Sequence, residues 1–112
     1  MLRAKRIYEP PAPEDGRRVL VDRLWPRGVS KDAARVDEWL KEIAPSDDLR
    51  TWFGHDPAKW EEFRVRYREE LRSHAEVLER LRREAKQETV TLLFAAKDEA
   101  HNNAVVLKEV LA

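Results

Sequence analysis

The sequence predicts an α/β fold, a small single-domain sheet with parallel central strands, an N-terminal edge strand and flanking helices. Two apolar runs, at about residues 18–24 and 89–96, lack the polar alternation of a half-exposed strand, which predicts strands covered on both faces. Between them, over residues 57–86, apolar side chains recur every three or four positions, as in amphipathic helices. Strand, helices, strand and final helix in this order favour parallel pairing with right-handed crossovers.

The composition is that of one domain, residues 1–112. A chain of 112 residues with 42% hydrophobic content can form one core. It has no cysteine, which excludes disulfides and thiolate ligands, and it has no signal-like N-terminal run, so we expect a cytoplasmic protein. No segment approaches the ~20 apolar residues that cross a bilayer, so no membrane partner is expected. The 22 basic residues cancel the 22 acidic ones, which disfavours a generic nucleic-acid binder.

Local signals predict the elements of the N-terminal half. Residues 2–8 form an edge strand, whose basic side chains discourage unwanted pairing, and the proline-rich residues 9–16 form a surface loop. Ser30 is an N-cap for a helix that follows the first central strand. Apolar spacing over residues 36–43 predicts a further short helix ending at Pro45.

The C-terminal half is predicted to be mainly helical. Ser46 caps a helix that ends at Gly54, and Asp56-Pro57 begins the next. One helix over 57–86 would be about 45 Å long, which exceeds the ~26 Å diameter expected from a ~13 Å radius of gyration. Ser73 and Glu76 match a capping box, so we predict a break near residues 72–74.

The last helix and the main core complete the predicted fold. Asp98 is expected to cap the final helix, which places His101 in its first turn and turns one apolar face inward: Ala104, Leu107 and Leu111. The long helical region should pack its aromatic stripe against the sheet, with contacts between Trp60, Phe63, Tyr67 and Leu71 on one side and Leu20, Leu92 and Phe94 on the other.

Charged and polar residues follow both central strands. Parallel neighbouring strands end at the same edge of a sheet, and ligands of open α/β sheets bind outside those ends. We therefore predict that Arg23, Arg27, Lys97 and His101 converge there on one pocket for a small anion. The expected ligand-binding residues are Arg23, Trp25, Arg27, Ser30, Lys97 and Asn102. The candidate acid/base groups are His101, His55 and Asp22.

Each candidate also has a structural alternative. Asp22 paired with Arg23 or Arg27 would fix the turn, and Asp98 would serve only as an N-cap. His55 is equally explained by a hydrogen bond within its loop. Three histidines among scattered carboxylates are not a metal signature, and none of the usual nucleotide or hydrolase motifs occurs, so no metal or cofactor is expected.

A family resemblance covers nearly the whole chain. The specific string is Val21-Asp22-Arg23-Leu24-Trp25-Pro26-Arg27-Gly28. It is followed in order by Ala44-Pro45-Ser46, Leu49-Arg50, Trp52-Phe53, His55, Ala96-Lys97-Asp98 and His101-Asn102. In these motifs the chain resembles the YeaO-like family of bacterial domain-of-unknown-function proteins. The resemblance implies a small single-domain cytoplasmic α/β protein, and it implies no established activity or cofactor.

Two functional hypotheses follow from the sequence. In the first, the edge of the sheet holds a small phosphate- or carboxylate-bearing ligand, either in an enzyme or in a binding protein. In the second, the chain is a non-catalytic module whose basic surface, Arg17–Lys31, contacts a protein or a nucleic-acid backbone. That surface carries five basic residues against one acidic residue.

Overall fold

A four-stranded parallel sheet lies at the centre of the computed structural model, which describes residues 1–112. The strands are β1 (Leu2–Arg6), β2 (Arg17–Leu20), β3 (Glu38–Trp39) and β4 (Val90–Phe94). Their order across the sheet is β1-β4-β2-β3, and all three pairings are parallel. β1 is an edge strand and β2 and β4 are the central pair, with Val19 opposite Leu92. The predicted α/β fold is confirmed.

Five α-helices surround this sheet. They are α1 (Lys31–Ala34), α2 (Asp47–Phe53), α3 (Trp60–Leu71), α4 (Ala75–Gln87) and α5 (Asn103–Leu111). Short 3-10 turns occur at Pro13–Asp15, Lys41–Ile43, Pro57–Lys59 and Arg72–His74. None of these helices combines the length and the apolar character that crossing a bilayer requires.

The two faces of the sheet are covered unequally. One face packs on α2 to α5 and forms a core of 18 buried residues, while the other carries a cluster of four, Ile7, Leu20, Ala34 and Leu93. Side chains alternate between faces along a strand, so Val19 and Val21 enter the larger core and Leu20 the smaller one. The predicted contact between Leu20 and the aromatic stripe of α3 is therefore wrong, whereas Leu92 and Phe94 do share its core.

Strand β2 ends earlier than predicted. The backbone N–H of Val21 still donates to the carbonyl of Leu93, at 3.1 Å. The next donor, the N–H of Ala95, binds the side chain of Asp22 at 2.9 Å. The carboxylate of Asp22 thus takes the place of a backbone carbonyl as the acceptor for β4. The chain leaves the sheet there, at the start of the loop that carries the specific family string.

Two predictions for the N-terminal half are wrong. Residues 36–43 form β3 and a 3-10 turn in place of a helix, because the chain pairs with β2 and the indole of Trp39 donates to the carbonyl of Asp22, at 2.7 Å. The proline-rich loop is also not wholly at the surface. Asp15 is fully buried, and its carboxylate accepts hydrogen bonds from Arg18 at 2.6 Å and from Lys5 at 3.0 Å.

The N-caps were predicted correctly in three places and wrongly in two others. Asp56 accepts a hydrogen bond from the N–H of Ala58 at 3.0 Å, at the start of the 3-10 turn that precedes α3. Ser30 and Ser46 accept hydrogen bonds from the backbone at the start of α1 and α2. The break between α3 and α4 is confirmed, but Ser73 donates to the carbonyl of Glu70 and does not cap α4.

The end of the chain differs from the prediction in its capping residue. Asn102 caps α5, and its side chain accepts from the N–H of Val105 at 3.1 Å. Asp98 caps the preceding turn, where it accepts from the N–H groups of Ala100 and His101. His101 therefore lies before α5 and not within its first turn.

Candidate functional site

A cavity of about 150 Å³ lies beside the carboxyl ends of β2 and β4. Its polar lining comes from three parts of the chain that meet there: the loop after β2, helix α2 with the turn that follows it, and the start of α5. These polar residues are Asp22, Arg23, Arg50, His55, Asn102 and Asn103. The remaining lining residues are Leu24, Pro45, Phe53, Phe63 and Ala96.

Asp22 is held rigidly at this cavity. One carboxylate oxygen accepts from the N–H of Ala95 at 2.9 Å, and the other accepts from the side-chain amide of Asn103 at 3.2 Å. Burial raises the pKa of Asp22 above its ordinary value, although these two hydrogen bonds and the charges of His55 and Arg50 act in the opposite direction. The carboxylate is thus fixed in place by two neutral donors.

Two guanidinium groups line the same cavity. Arg23 donates from Nε to the carbonyl of Pro45 at 3.0 Å and from an Nη atom to that of Ala44 at 3.4 Å. Arg50 projects from α2 and donates to the carboxylate of Asp47 at 3.1 Å. A guanidinium carries five N–H donors, so both side chains retain donors that no protein acceptor takes.

His55 and two phenylalanines complete the wall of the cavity. His55 has a backbone φ of 56°, a left-handed conformation that is uncommon for a residue with a side chain, and it directly follows the left-handed Gly54 that ends α2. The rings of Phe53 and Phe63 stack with 4.3 Å between their centroids. The cavity lining therefore combines charged and aromatic side chains.

The structure brings four of the sequence-predicted site residues to this cavity: Asp22, Arg23, His55 and Asn102. The other five, Trp25, Arg27, Ser30, Lys97 and His101, are not among its lining residues. Of the four side chains expected to converge on one pocket, only Arg23 does so there. Trp25 is absent from the lining because the loop after β2 turns it onto the other face of the sheet, where it packs on Trp39 with 5.5 Å between centroids.

The remaining predicted residues have other surroundings. Arg27 and Lys97 are exposed, and Ser30 serves as the cap of α1. His101 forms a hydrogen bond through Nδ1 with Asp98 at 2.8 Å, and its ring lies edge-on to Trp60 at 5.2 Å. This hydrogen bond is the main cause that holds the pKa of Asp98 below its ordinary value. No three His, Asp or Glu side chains are grouped so that they could hold a metal ion.

Sequence reasoning missed two polar residues of the cavity, Arg50 and Asn103. Arg50 lies one helical turn before Phe53 on α2, and this spacing of three residues places both on one face of the helix. Asn103 adjoins the predicted Asn102, and its amide donates to the carbonyl of Val21 as well as to Asp22. Asparagine is a preferred N-cap residue, and Asn102 is the N-cap of α5. Recognising this cap would have identified Asn103 as the first residue of the helix.

Comparisons with known proteins agree on one family. The family model described as "Inactive DUF488-N3 subclade" matches residues 1–112. The uncharacterized protein YeaO of Escherichia coli is 44% identical over 108 residues, which cover 96% of this chain and 94% of YeaO. Uncharacterized proteins of Mycobacterium tuberculosis and Mycobacterium bovis are each 44% identical over 110 residues, covering 98% of this chain and 92% of theirs. No solved structure matches the chain.

Proposed function

The chain belongs to the inactive DUF488-N3 subclade, with the YeaO-like proteins. We propose that it binds a small ligand bearing a carboxylate or phosphate group and does not transform this ligand chemically. The observation that carries this proposal is the cavity at the ends of β2 and β4, where Arg23, Arg50 and His55 line one small space. We place this binding in the cytoplasm, in keeping with a composition free of cysteine.

The physical case for an anionic group comes from the donors around the cavity. Arg23 and Arg50 have N–H groups to spare, and planar guanidinium forks match carboxylate and phosphate oxygens. Helix α5 begins at Asn103, in the lining, so the positive end of its dipole adds to the same field. Pockets for drug-sized ligands have volumes of roughly 300–1,000 Å³. A volume of about 150 Å³ therefore favours a smaller ligand than a nucleotide.

Binding without chemistry is supported by the family description and by the state of the candidate acid/base groups. Asp22 and His55 lie in the cavity lining, but no Ser, Thr, Cys, Lys or Tyr side chain lies there beside them. The Asp98–His101 pair lies outside the cavity lining. The cavity therefore offers no general base paired with a hydroxyl, thiol or amine nucleophile, which an acyl or phosphoryl transfer through such a nucleophile would need.

The alternative function depends on the basic surface Arg17–Lys31. Ion pairs within the protein neutralise part of the positive charge of this surface. Arg18 is only 4% exposed, and its guanidinium is bound to Asp15 and to the carbonyl of Ala34. Arg17 forms an ion pair with Glu38 at 2.6 Å. These ion pairs thus neutralise two of the five cations of this surface, which reduces the number of counterions that binding could release. We therefore do not favour a nucleic-acid partner.

Thermal unfolding in inorganic phosphate tests the anion site, with chloride at equal ionic strength as the reference. We expect phosphate to raise the melting temperature of the wild type, by mass action on the folded state, and Arg50→Gln to abolish this increase. Arg27→Gln is the matched control, because Arg27 is exposed and does not line the cavity. The proposal would be overturned if neither phosphate nor acetate, tested in the same way, raised the melting temperature of the wild type. An equal loss in both variants would move the site to the basic surface.

A further inference from the structure

The charges at the cavity are balanced and not simply positive. Arg23 and Arg50 line it together with Asp22. Asp47 lies behind the two arginines, at 3.8 Å from Arg23 Nε and 3.1 Å from an Nη atom of Arg50. Apart from His55, two guanidinium groups and two carboxylates therefore lie at this site. A ligand with only negative charge would therefore leave Asp22 facing it, at a cost from like-charge repulsion.

Asp22 has acceptor capacity that the protein does not use. An ionised carboxylate offers about four lone-pair positions. Hydrogen bonds from Ala95 and Asn103 occupy one on each oxygen. Asp22 makes no ion pair with an arginine or lysine, unlike the fully buried Asp15, which has two. A partly buried carboxylate in this position favours a cationic donor supplied by the ligand.

Part of the cavity lining is apolar. It is formed by the stacked rings of Phe53 and Phe63, with Pro45 and Ala96. Leu24, which also lines the cavity, is 60% exposed, one of few large apolar side chains on the surface of this protein. An apolar group of the ligand would cover Leu24 and the ring edges, with a gain of about 25 cal/mol for each Å² removed from water.

We propose that the ligand is a small zwitterion with an apolar substituent, of the α-amino acid class. Its carboxylate binds the free N–H groups of Arg23 and Arg50, its ammonium group binds the unused acceptor positions of Asp22, and its side chain packs between Leu24 and the two phenylalanines. This inference rests on the proposed function, because the carboxylate of the ligand is the anionic group proposed there. The inference identifies the rest of the ligand. It adds a requirement for a positive charge on the ligand.

A set of three matched probes tests the inference on the wild-type protein by isothermal titration. L-Leucine carries both charges, 4-methylpentanoate lacks the ammonium group, and 3-methylbutylamine lacks the carboxylate. We expect leucine to bind at least about 10-fold more tightly than either of the other two, since each lost charge-assisted hydrogen bond is worth a factor of about 10–100. Inorganic phosphate is titrated alongside as a probe of the anion site alone.

Two variants assign the charges. Asp22→Asn should weaken leucine binding by about 10-fold or more, because only leucine places a cation there. Binding of 4-methylpentanoate should stay the same or become tighter, because the repulsion from Asp22 is removed. Arg50→Gln should weaken both acids together. The melting temperature of each variant without ligand shows whether it folds. If Asp22→Asn does not fold, the three probes on the wild type still decide the matter.

The outcomes separate this inference from the proposed function. Equal binding of leucine and 4-methylpentanoate overturns the zwitterion and leaves the anion site standing. The same holds if no organic probe binds while phosphate does so in a manner dependent on Arg50. Binding of the amine as tightly as leucine, or no binding of any probe including phosphate, overturns both.

Discussion

Replacing Phe63 by alanine measures how much the aromatic stripe of α3 contributes to stability. The ring of Phe63 is 2% exposed and contacts three other rings, with centroid distances of 4.3 Å to Phe53, 5.6 Å to Tyr67 and 5.7 Å to Trp60. Truncation of a buried phenylalanine to alanine typically costs 3–5 kcal/mol, the sum of the lost transfer free energy and the cavity that remains. We expect Phe63→Ala to lie toward the upper end, about 4 kcal/mol.

The physical reason for the upper end is the position of Phe63 in the wall of the existing cavity. Surrounding side chains can fill the void left by the Phe63 ring only where they are free to move. This void would join the existing cavity, whose space the neighbouring side chains already leave unfilled. Fixed neighbours such as Tyr67, whose hydroxyl donates to the carbonyl of Ile43 at 2.6 Å, cannot follow. The lost contacts are therefore not regained.

Urea unfolding followed by circular dichroism gives the free energy of unfolding of each variant. Val65→Ala is the matched control, because Val65 is on the same helix and is 63% exposed, so its truncation should change stability by no more than about 0.5 kcal/mol. The dependence of the unfolding free energy on urea concentration should be the same for both variants. Their transition midpoints can then be compared directly. If Phe63→Ala and Val65→Ala shift the midpoint equally, the assignment of the buried face of α3 is wrong.

Two further predictions concern caps and ion pairs. Ser46→Ala should cost about 1–2 kcal/mol in urea unfolding, because Ser46 both caps α2 and donates to Glu70 at 2.6 Å. Ser73→Ala, which removes no cap, should cost less than about 0.5 kcal/mol, and a reversed order would contradict the capping assignment. Burial alone would raise the pKa of Glu38, but hydrogen bonds and charges from Arg80 and Arg17 outweigh it and hold that pKa below its ordinary value. Glu38 therefore stabilises the fold above its unfolded pKa and loses this effect as the pH falls through its folded pKa. The deficit of Glu38→Gln at pH 7 should accordingly shrink in acid, and a deficit independent of pH would refute the ion-pair explanation.

The central strands and long helices could be predicted from the sequence because their signals are local. The apolar runs of β2 and β4 and the three-to-four-residue spacing over α3 and α4 arise from burial on one or both faces of a regular element. The N-caps Ser30 and Ser46 bind N–H groups within three residues along the chain. The break near residues 72–74 followed from the size of the domain, although the predicted cap was wrong.

Non-local contacts decided the rest. Residues 36–43 have helical spacing, yet β3 forms because its backbone groups find partners on β2. Asp15 lies in a loop sequence, yet burial beside Arg18 and Lys5 makes it part of the interior. The membership of the candidate site depends on such contacts most of all. Asp22 meets Ala95 and Asn103 across more than 70 positions of the chain.

The sequence by itself therefore determined which edge of the sheet carries polar groups, since parallel strands end together. Only the tertiary structure decided which of those groups share a cavity. The loop after β2 separates Asp22 and Arg23 from Trp25 and Arg27, and helix α2 supplies Arg50 from a part of the chain that directly follows neither central strand. Side-chain direction in a loop is set by packing and by hydrogen bonds to distant residues, and no local pattern encodes it.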